Sequence, residues 1–331
     1  MITKEFSIII PALNEEEHIG GVLESIRKNL EGKFQYEVIV VDNGSTDRTL
    51  DIAHDNGAIC LHAPGCSIST LRNMGAQNAS ADIFIFIDAD VYVTREWGEQ
   101  IGRVPVLLQQ RPMLITGSLY GISEENNWIE RIWFAPRTTR SEVSYINGGH
   151  LILHRQTFLS VEGFAPHLET GEDCEFCERA RARGATIENN PALKVVHAGY
   201  PRTIKRFFAR ERWHGRGDFH SVATLIASKP ALISLLNLVM LMACLAFLFF
   251  STLPWFLPIL FYMAFLMGIS LASAFHRQSG AINAELAGAM FLYMIYITAR
   301  TAALVDVVCR RVIHHRPILP TETIIPHGKG D

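Results

Sequence analysis

Two carboxylates one residue apart, Asp88 and Asp90, close the run Ile83-Phe84-Ile85-Phe86-Ile87, an apolar stretch that reads as a buried strand. Taking a carboxylate out of water is costly, so an acid pair at the tip of a hydrophobic strand calls for a compensating charge. A hard divalent cation supplies it through oxygen ligands, and such a cation suits a diphosphate. A second acidic pair, Glu172-Asp173, opens a helix predicted over 173–183, where a carboxylate can accept a proton from a reacting hydroxyl. Asp42 ends another apolar strand, 36–41, and leads into the turn Asn43-Gly44-Ser45-Thr46-Asp47. Together these acids point to transfer of a group off a nucleotide. Their competing explanations are structural: a solvated loop for the first pair, an Asx turn for Asp42, and a helix-dipole contact of about 0.3–1 kcal/mol for the second pair.

The elements that must position them alternate between strand and helix. Residues 6–11 read as a buried strand, Asn14 as the cap of a helix whose apolar face is Ile19, Val22, Leu23, Ile26 and Leu30, and 58–61 as a short strand before a helix at 71–78. Later strands are expected at 151–153 and 192–196. This alternation predicts βαβ units and a mainly parallel sheet, with ligands at the carboxyl ends of its strands, where Asp42 and Asp88 stand.

The composition bounds the rest. A chain of 331 residues with net charge −3 shows no global preference for nucleic acid. Basic residues crowd 201–229, with Arg202, Lys205, Arg206, Arg210, Arg212, Arg216 and Lys229 against Glu211 and Asp218, whereas 231–275 carries no charge at all. That uncharged length fits two bilayer crossings, near 231–250 and 255–275, turned at Ser251-Thr252-Leu253-Pro254 and Pro258. The flanking basic residues orient the hairpin toward the cytoplasm. Residues 204–214 have the composition of an interfacial helix. Residues 282–308 contain Glu285, Arg300 and Asp306, and read as interfacial or re-entrant rather than as a third crossing, which would place Arg310, Arg311 and Arg316 outside. Met1-Ile2-Thr3-Lys4-Glu5 is no signal sequence, so a cytoplasmic first region is expected, with the six cysteines as free thiols and no zinc at Cys174-x-x-Cys177.

Four blocks in order, Ser7-Ile8-Ile9-Ile10-Pro11-Ala12-Leu13-Asn14-Glu15, Val40-Val41-Asp42-Asn43-Gly44-Ser45-Thr46-Asp47, Asp88-Ala89-Asp90 and Gly171-Glu172-Asp173, resemble glycosyltransferase family 2. The resemblance covers residues 5 to about 215. It implies a GT-A (Rossmann-like) fold, a nucleotide-sugar donor, a Mn²⁺ or Mg²⁺ cofactor and inversion at the anomeric carbon. By the same resemblance, Asp90 binds the metal and Asp88 shares it or faces the ribose, while His197 is a further metal ligand. Pro11, Ala12, Glu15 and Asp42 contact the nucleotide, and Arg72 stands near the diphosphate. Gly148 and Gly149 lie against donor and acceptor. Glu172 and Asp173 are catalytic, with Asp173 the base. Arg212-Trp213 resembles the end of a Q-x-x-R-W motif, but Ala209 replaces its glutamine, which argues against a processive enzyme. Val91-Tyr92-Val93-Thr94-Arg95 after Asp90 departs from the polyprenyl-phosphate subclass.

The expectation is an α/β fold, with a mainly parallel sheet, helices on both faces and a C-terminal transmembrane hairpin. It divides into a catalytic domain at 1–200, an interfacial helix at 201–229, two crossings at 230–276, and an interfacial or third membrane helix with a tail at 277–331. The expected function is non-processive glycosyl transfer from a UDP- or GDP-sugar to a lipid-linked or polysaccharide acceptor, at the cytoplasmic face and in contact with membrane lipid. The alternatives are a polyprenyl-phosphate glycosyltransferase, a nucleotidyltransferase, or a non-catalytic membrane-anchored binding component.

Overall fold

The structure, a computed structural model, describes residues 4–135, 143–168, 170–219, 225–226, 228–250, 252, 254–278 and 284–314. They fall into two compact units, one made of Met1–Asn126 and Phe134–Tyr200, the other of Asn127–Trp133 and Pro201–Leu319.

The first unit runs through β1 (Phe6–Ala12), α1 (Ile19–Leu30), β2 (Tyr36–Asp42), α2 (Thr49–Asp55), β3 (Ile59–His62), α3 (Ile68–Asn78), β4 (Ile83–Ile87), β5 (Val91–Val93), α4 (Arg95–Gln100), α5 (Val104–Gln110), β6 (Leu114–Gly117), β7 (His150–His154), α6 (Arg155–Ser160), α7 (Glu172–Ala182), β8 (Thr186–Asn189) and β9 (Val195–His197). Seven strands form one sheet in the order β3-β2-β1-β4-β7-β6-β8. It is mainly parallel, with β7 antiparallel to both its neighbours. The runs in β1 and β4 are continuous in apolar residues because both faces are covered. Ile8 and Ile10 pack with Val22 and Ile26 of α1 on one side, while Ile9 packs with Leu71 of α3 and Phe176 of α7 on the other. Truncating one of these isoleucines to alanine would cost about 2–5 kcal/mol.

Two local expectations are corrected. Asn14 does not cap α1, whose N-cap is His18 without a side-chain bond. Asn14 instead turns left-handed (φ 54°) and its side chain accepts from Thr46 N at 2.9 Å, lacing the loop after β1 to the turn after β2. The last strand begins later than residue 192, so His197 lies within β9 rather than beyond it.

The second unit contains a helical turn, Glu130–Phe134, that the unit boundary divides, followed by α8 (Ile204–Asp218), α9 (Lys229–Phe250), α10 (Phe256–Arg277) and α11 (Leu286–His314). The Thr203 side chain accepts from Arg206 N and starts α8. Phe249 and Phe250 near the end of α9 are 82% and 89% exposed, so large apolar side chains stand on the outside of this helix. Three helices, Lys229–Phe250, Phe256–Arg277 and Leu286–Cys309, are long and apolar enough to cross a membrane, where the sequence argued for two. The charges of the third have partners: Arg300 pairs with Glu211 and Asp218, and Asp306 with Arg212.

Candidate active site

The parallel register fixes the site's frame. Ala12 stands opposite Asp42, and Ile9 opposite Phe86, so the carboxyl ends of β1, β2 and β4 share one sheet edge. Asp42 is fully buried there, and its carboxylate accepts from Gly44 N at 2.9 Å and Ser45 N at 3.0 Å, from the Ser45 hydroxyl, and sits 3.2 Å from His62 Nδ1. The Asx turn considered from the sequence is therefore formed. Glu15 N donates to Thr49 Oγ1 at 2.7 Å, which ties the first loop to the start of α2, and Pro11 and Ala12 are buried in β1.

Antiparallel β7 brings its own loop to the tip of β4. Ile87 pairs with His150, and Asp88 N donates to Gly149 O at 3.1 Å, so Gly148 and Gly149 lie beside the first carboxylate. A Cβ on Gly149 would overlap the Asp88 carboxylate, and one on Gly148 would come within 2.7 Å of the Arg72 guanidinium. The glycines are required by these two side chains of the protein itself. The small sheet does the same for the second carboxylate. Val91 pairs with His197 in the β5–β9 ladder, which sets His197 Nε2 3.6 Å from Asp90 Oδ2, with both side chains mostly shielded. The imidazole stacks on Tyr200 at 4.2 Å and 11°.

Arg72 occupies the centre. Only 2% exposed, it donates through Nη2 to Asp88 Oδ1 and through Nη1 to Glu172 Oε1, each at 2.7 Å. It thus bridges the strand-end acid and the acid that opens α7, where the sequence placed it near a diphosphate. Beside Glu172, Asp173 accepts from Cys174 N at 2.8 Å and Gly148 N at 3.3 Å. Burial, reinforced by the Glu172 charge, raises its carboxyl from 3.8 to about 7 even though Arg72 pulls the other way. A group so poised is half ionised near neutrality and can take a proton.

Sequence reasoning missed Tyr120 and His150. The half-buried Tyr120 phenol donates to Asp88 Oδ2 at 3.3 Å and its ring lies 5.0 Å from that of His197; burial and then the Asp88 charge push its ionisation well above the usual tyrosine value. His150 lies with Nε2 3.0 Å from Trp97 Nε1 and Nδ1 2.9 Å from Ser118 N, and burial lowers it to about 4, so it is a neutral strut that accepts at one ring nitrogen and carries its proton on the other. Both depend on long-range pairing of β6 and β7, which leaves no local pattern. The Cys174 and Cys177 thiols are pushed up to about 11 and about 12, first by burial. No group of three or more His, Cys, Asp or Glu positioned for a metal occurs among the described residues. Arg212 and Trp213 lie on α8 in the second unit, where Arg212 is held by Asp306 at 2.6 Å.

Asp90 and His197 nevertheless fit half of a divalent-metal shell: one hard oxygen and one imidazole nitrogen facing each other at short range, a donor pair suited to Mn²⁺. Asp88 does not complete it as arranged, because its oxygens serve Arg72 and Tyr120.

Comparison with known proteins agrees with this frame. The sequence pattern of glycosyl transferase family 2 matches residues 7–165. That match covers just under half of the chain. Glycosyltransferase AglE of Haloferax volcanii is 36% identical over 100 residues, covering 28% of this chain and 33% of that protein. The pre-mycofactocin glycosyltransferase of Mycobacterium tuberculosis is 24% identical over 230 residues, covering 64% of this chain and 46% of its own. The chain therefore spans about a third and about a half of these two relatives. Among solved structures, a mannosyltransferase from Pyrobaculum calidifontis in complex with GDP-Man and Mn²⁺ superposes with TM-score 0.55 at 16% identity, covering 93% of this chain and 88% of that one, which establishes the GT-A fold.

Proposed function

We propose that this protein is an inverting, non-processive family 2 glycosyltransferase that moves one sugar from a UDP- or GDP-sugar to a hydroxyl of a lipid-linked or polysaccharide acceptor at the cytoplasmic membrane face. The observation that carries the reading is the geometry around Asp173: it accepts from Gly148 N beside the Glu172–Arg72–Asp88 bridge that reaches the sheet edge where a nucleotide would lie, and burial raises its carboxyl. The relative that binds GDP-Man and Mn²⁺ on the same fold supports the donor class.

Asp173 would accept the acceptor hydroxyl's proton as that oxygen attacks the anomeric carbon. The bond to the nucleoside diphosphate breaks on the opposite face, so configuration inverts. Asp42, Pro11, Ala12 and Glu15 would line the nucleoside. Asp90 and His197 would hold a divalent ion that, when bound, neutralises charge on the departing diphosphate. Arg72 holds Asp88 and Glu172 in place and sets the field around Asp173. The apolar helices α9 and α10 would keep the enzyme at a membrane, raising its effective concentration against a lipid-borne acceptor.

The test is a thermal-shift panel of nucleoside diphosphates with and without Mn²⁺ on the full chain, followed by product analysis with UDP- and GDP-sugars. A Mn²⁺-dependent rise in Tm with UDP or GDP, and release of nucleoside diphosphate, support the reading. Pyrophosphate release would make the protein a nucleotidyltransferase, and no shift with any nucleotide would leave only a membrane component.

A further inference from the structure

Within the second unit, α11 is stitched along its length to α8. Arg300 donates to Asp218 Oδ2 at 2.6 Å and to Glu211 Oε2 at 3.1 Å, while Asp306 receives both Nε and Nη2 of Arg212, at 2.7 and 2.6 Å. Every partner is on α8. A Cβ at Gly215 would come within 2.8 Å of Ala303 and of Arg300, so close backbone approach is built in. Phe219, just past α8, packs in one cluster with Ala303, Leu304 and Val307. At the other end, Ile204 and Phe208 share an apolar cleft with Phe291, Met294 and Ile295. Residues 204–219 and 291–307 therefore run side by side in the same direction.

Any layer that holds α8 must hold this part of α11. α8 cannot cross a bilayer: its 15 residues rise about 22 Å against a hydrocarbon core of about 30 Å. It also carries Lys205, Arg206, Arg210, Arg212 and Arg216, charges that are costly to place at the core's centre. A membrane-crossing α11 would drag all five inward.

Two more contacts set the level. α9 meets α11 through its first turns, where Ala231 joins the Ala303 cluster and Asn237 Nδ2 donates to Thr301 Oγ1 at 3.0 Å. Leu266 of α10 lines the same cleft as Phe291, Met294 and Ile295, and at the last residue of α10 Arg277 donates to Trp133 O and lies 4.4 Å over the Trp133 ring, which packs on Tyr293 and Tyr296 at 4.8 and 5.2 Å. The start of α9 and the end of α10 are the two open ends of one hairpin, and α11 touches both.

We infer that α11 does not cross the membrane: paired with α8, it lies in the interfacial layer over the open end of the α9–α10 hairpin. Among the described helices only α9 and α10 then cross, and Cys309 lies on the side on which α9 began. The inference rests on the membrane reading and not on the reaction, so its failure and a failure of glycosyl transfer are distinguishable.

Cleavable tags before Met1, at Thr252 and after Asp331, each alone in the full chain, would be exposed to protease in right-side-out and inverted vesicles. The N- and C-terminal tags should be cut in one preparation and the Thr252 tag in the other. A C-terminal tag cut together with the Thr252 tag would overturn the inference. Labelling of the exposed native Cys309 by an impermeant maleimide, with the other cysteines replaced by serine, gives the same answer without an insertion. Modification from the side that exposes the N-terminal tag is expected, and modification only from the opposite side would also overturn it.

Discussion

Two shielded carboxylates of the first unit are shifted in opposite directions. Glu37 on β2 is 7% exposed, and burial alone would raise it, but it receives Lys4 at 2.7 Å, Ser7 at 2.6 Å, and both the N–H and the hydroxyl of Ser80 at 2.6 and 2.8 Å, which hold it down to about 2. Asp173 receives two backbone donors and faces the Glu172 charge, and it sits at about 7. Burial raises both; at Glu37 the Lys4 ammonium and the Ser7 and Ser80 donors outweigh it, whereas at Asp173 the Glu172 charge adds to it. A carboxylate saturated with donors welds strands β1 and β2 to the residues before β4. A carboxylate held up by burial and a like charge is one that can still take a proton.

Changing Asp173 should produce the largest effect. Asp173→Asn keeps the shape but removes the base, and sugar transfer should fall about 10²- to 10⁴-fold while nucleotide-induced thermal shifts persist. Wild-type transfer by purified Asp173→Asn would end the comparison. In the unmodified protein, kcat should climb with pH through about 7 as Asp173 ionises. The same shift acts on stability with the opposite sense. A folded value above the ordinary 3.8 means that ionisation opposes folding, so this group's contribution declines as pH rises between about 4 and 7.

Glu37→Ala should reverse the pattern: a loss of about 2–4 kcal/mol in stability, read by denaturant unfolding, with kcat unchanged in the folded protein. Because its folded value is depressed from 4.5 to about 2, the Glu37 contribution is complete above about pH 4.5 and disappears as pH falls through 2. The Glu37→Ala variant should therefore have a flatter acid limb than the parent protein. An equally steep limb would assign acid unfolding to other groups.

What the sequence could reveal follows from how local each cause is. The acids at strand ends were legible because a hydrophobic strand with a charged tip is written in consecutive residues, as in Ile83 to Asp90. The parallel pairing of β1 with β2 and β4 followed from the alternation of strands with helices, whereas their order in the sheet did not. Arg72 was visible only as a position; its bridge joins residues 16 and 100 apart in sequence, and no spacing rule predicts it. Asn14 looked like a cap by residue type, yet the chain needs four more residues to turn before α1 begins, and Thr46 captures its side chain. The third apolar helix was obscured by Arg300 and Asp306, whose partners on α8 stand more than 80 positions earlier.

The proposed metal pair tests the catalytic edge at an intermediate scale. His197→Gln should weaken Mn²⁺ activation about 10- to 100-fold, read as the half-saturating metal concentration, with little change in Tm without metal. If metal response is untouched, the 3.6 Å approach of His197 to Asp90 is a structural contact like the donors around Glu37.

Tyr120→Phe should give the smallest effect, and it asks how much a single donor matters. The substitution keeps a ring beside His197 and removes one hydroxyl from Asp88 Oδ2, while Arg72 still holds Oδ1 at 2.7 Å. The lost bond is long at 3.3 Å, so about 1 kcal/mol is expected, which corresponds to roughly a fivefold fall in kcat/KM. If the phenol only steadies Asp88, the fall should appear in the donor KM and leave the pH dependence of kcat unchanged. A loss approaching that of Asp173→Asn, with a displaced pH profile, would place the phenol in the proton chemistry and make the donors at Asp88 as decisive as those at Glu37.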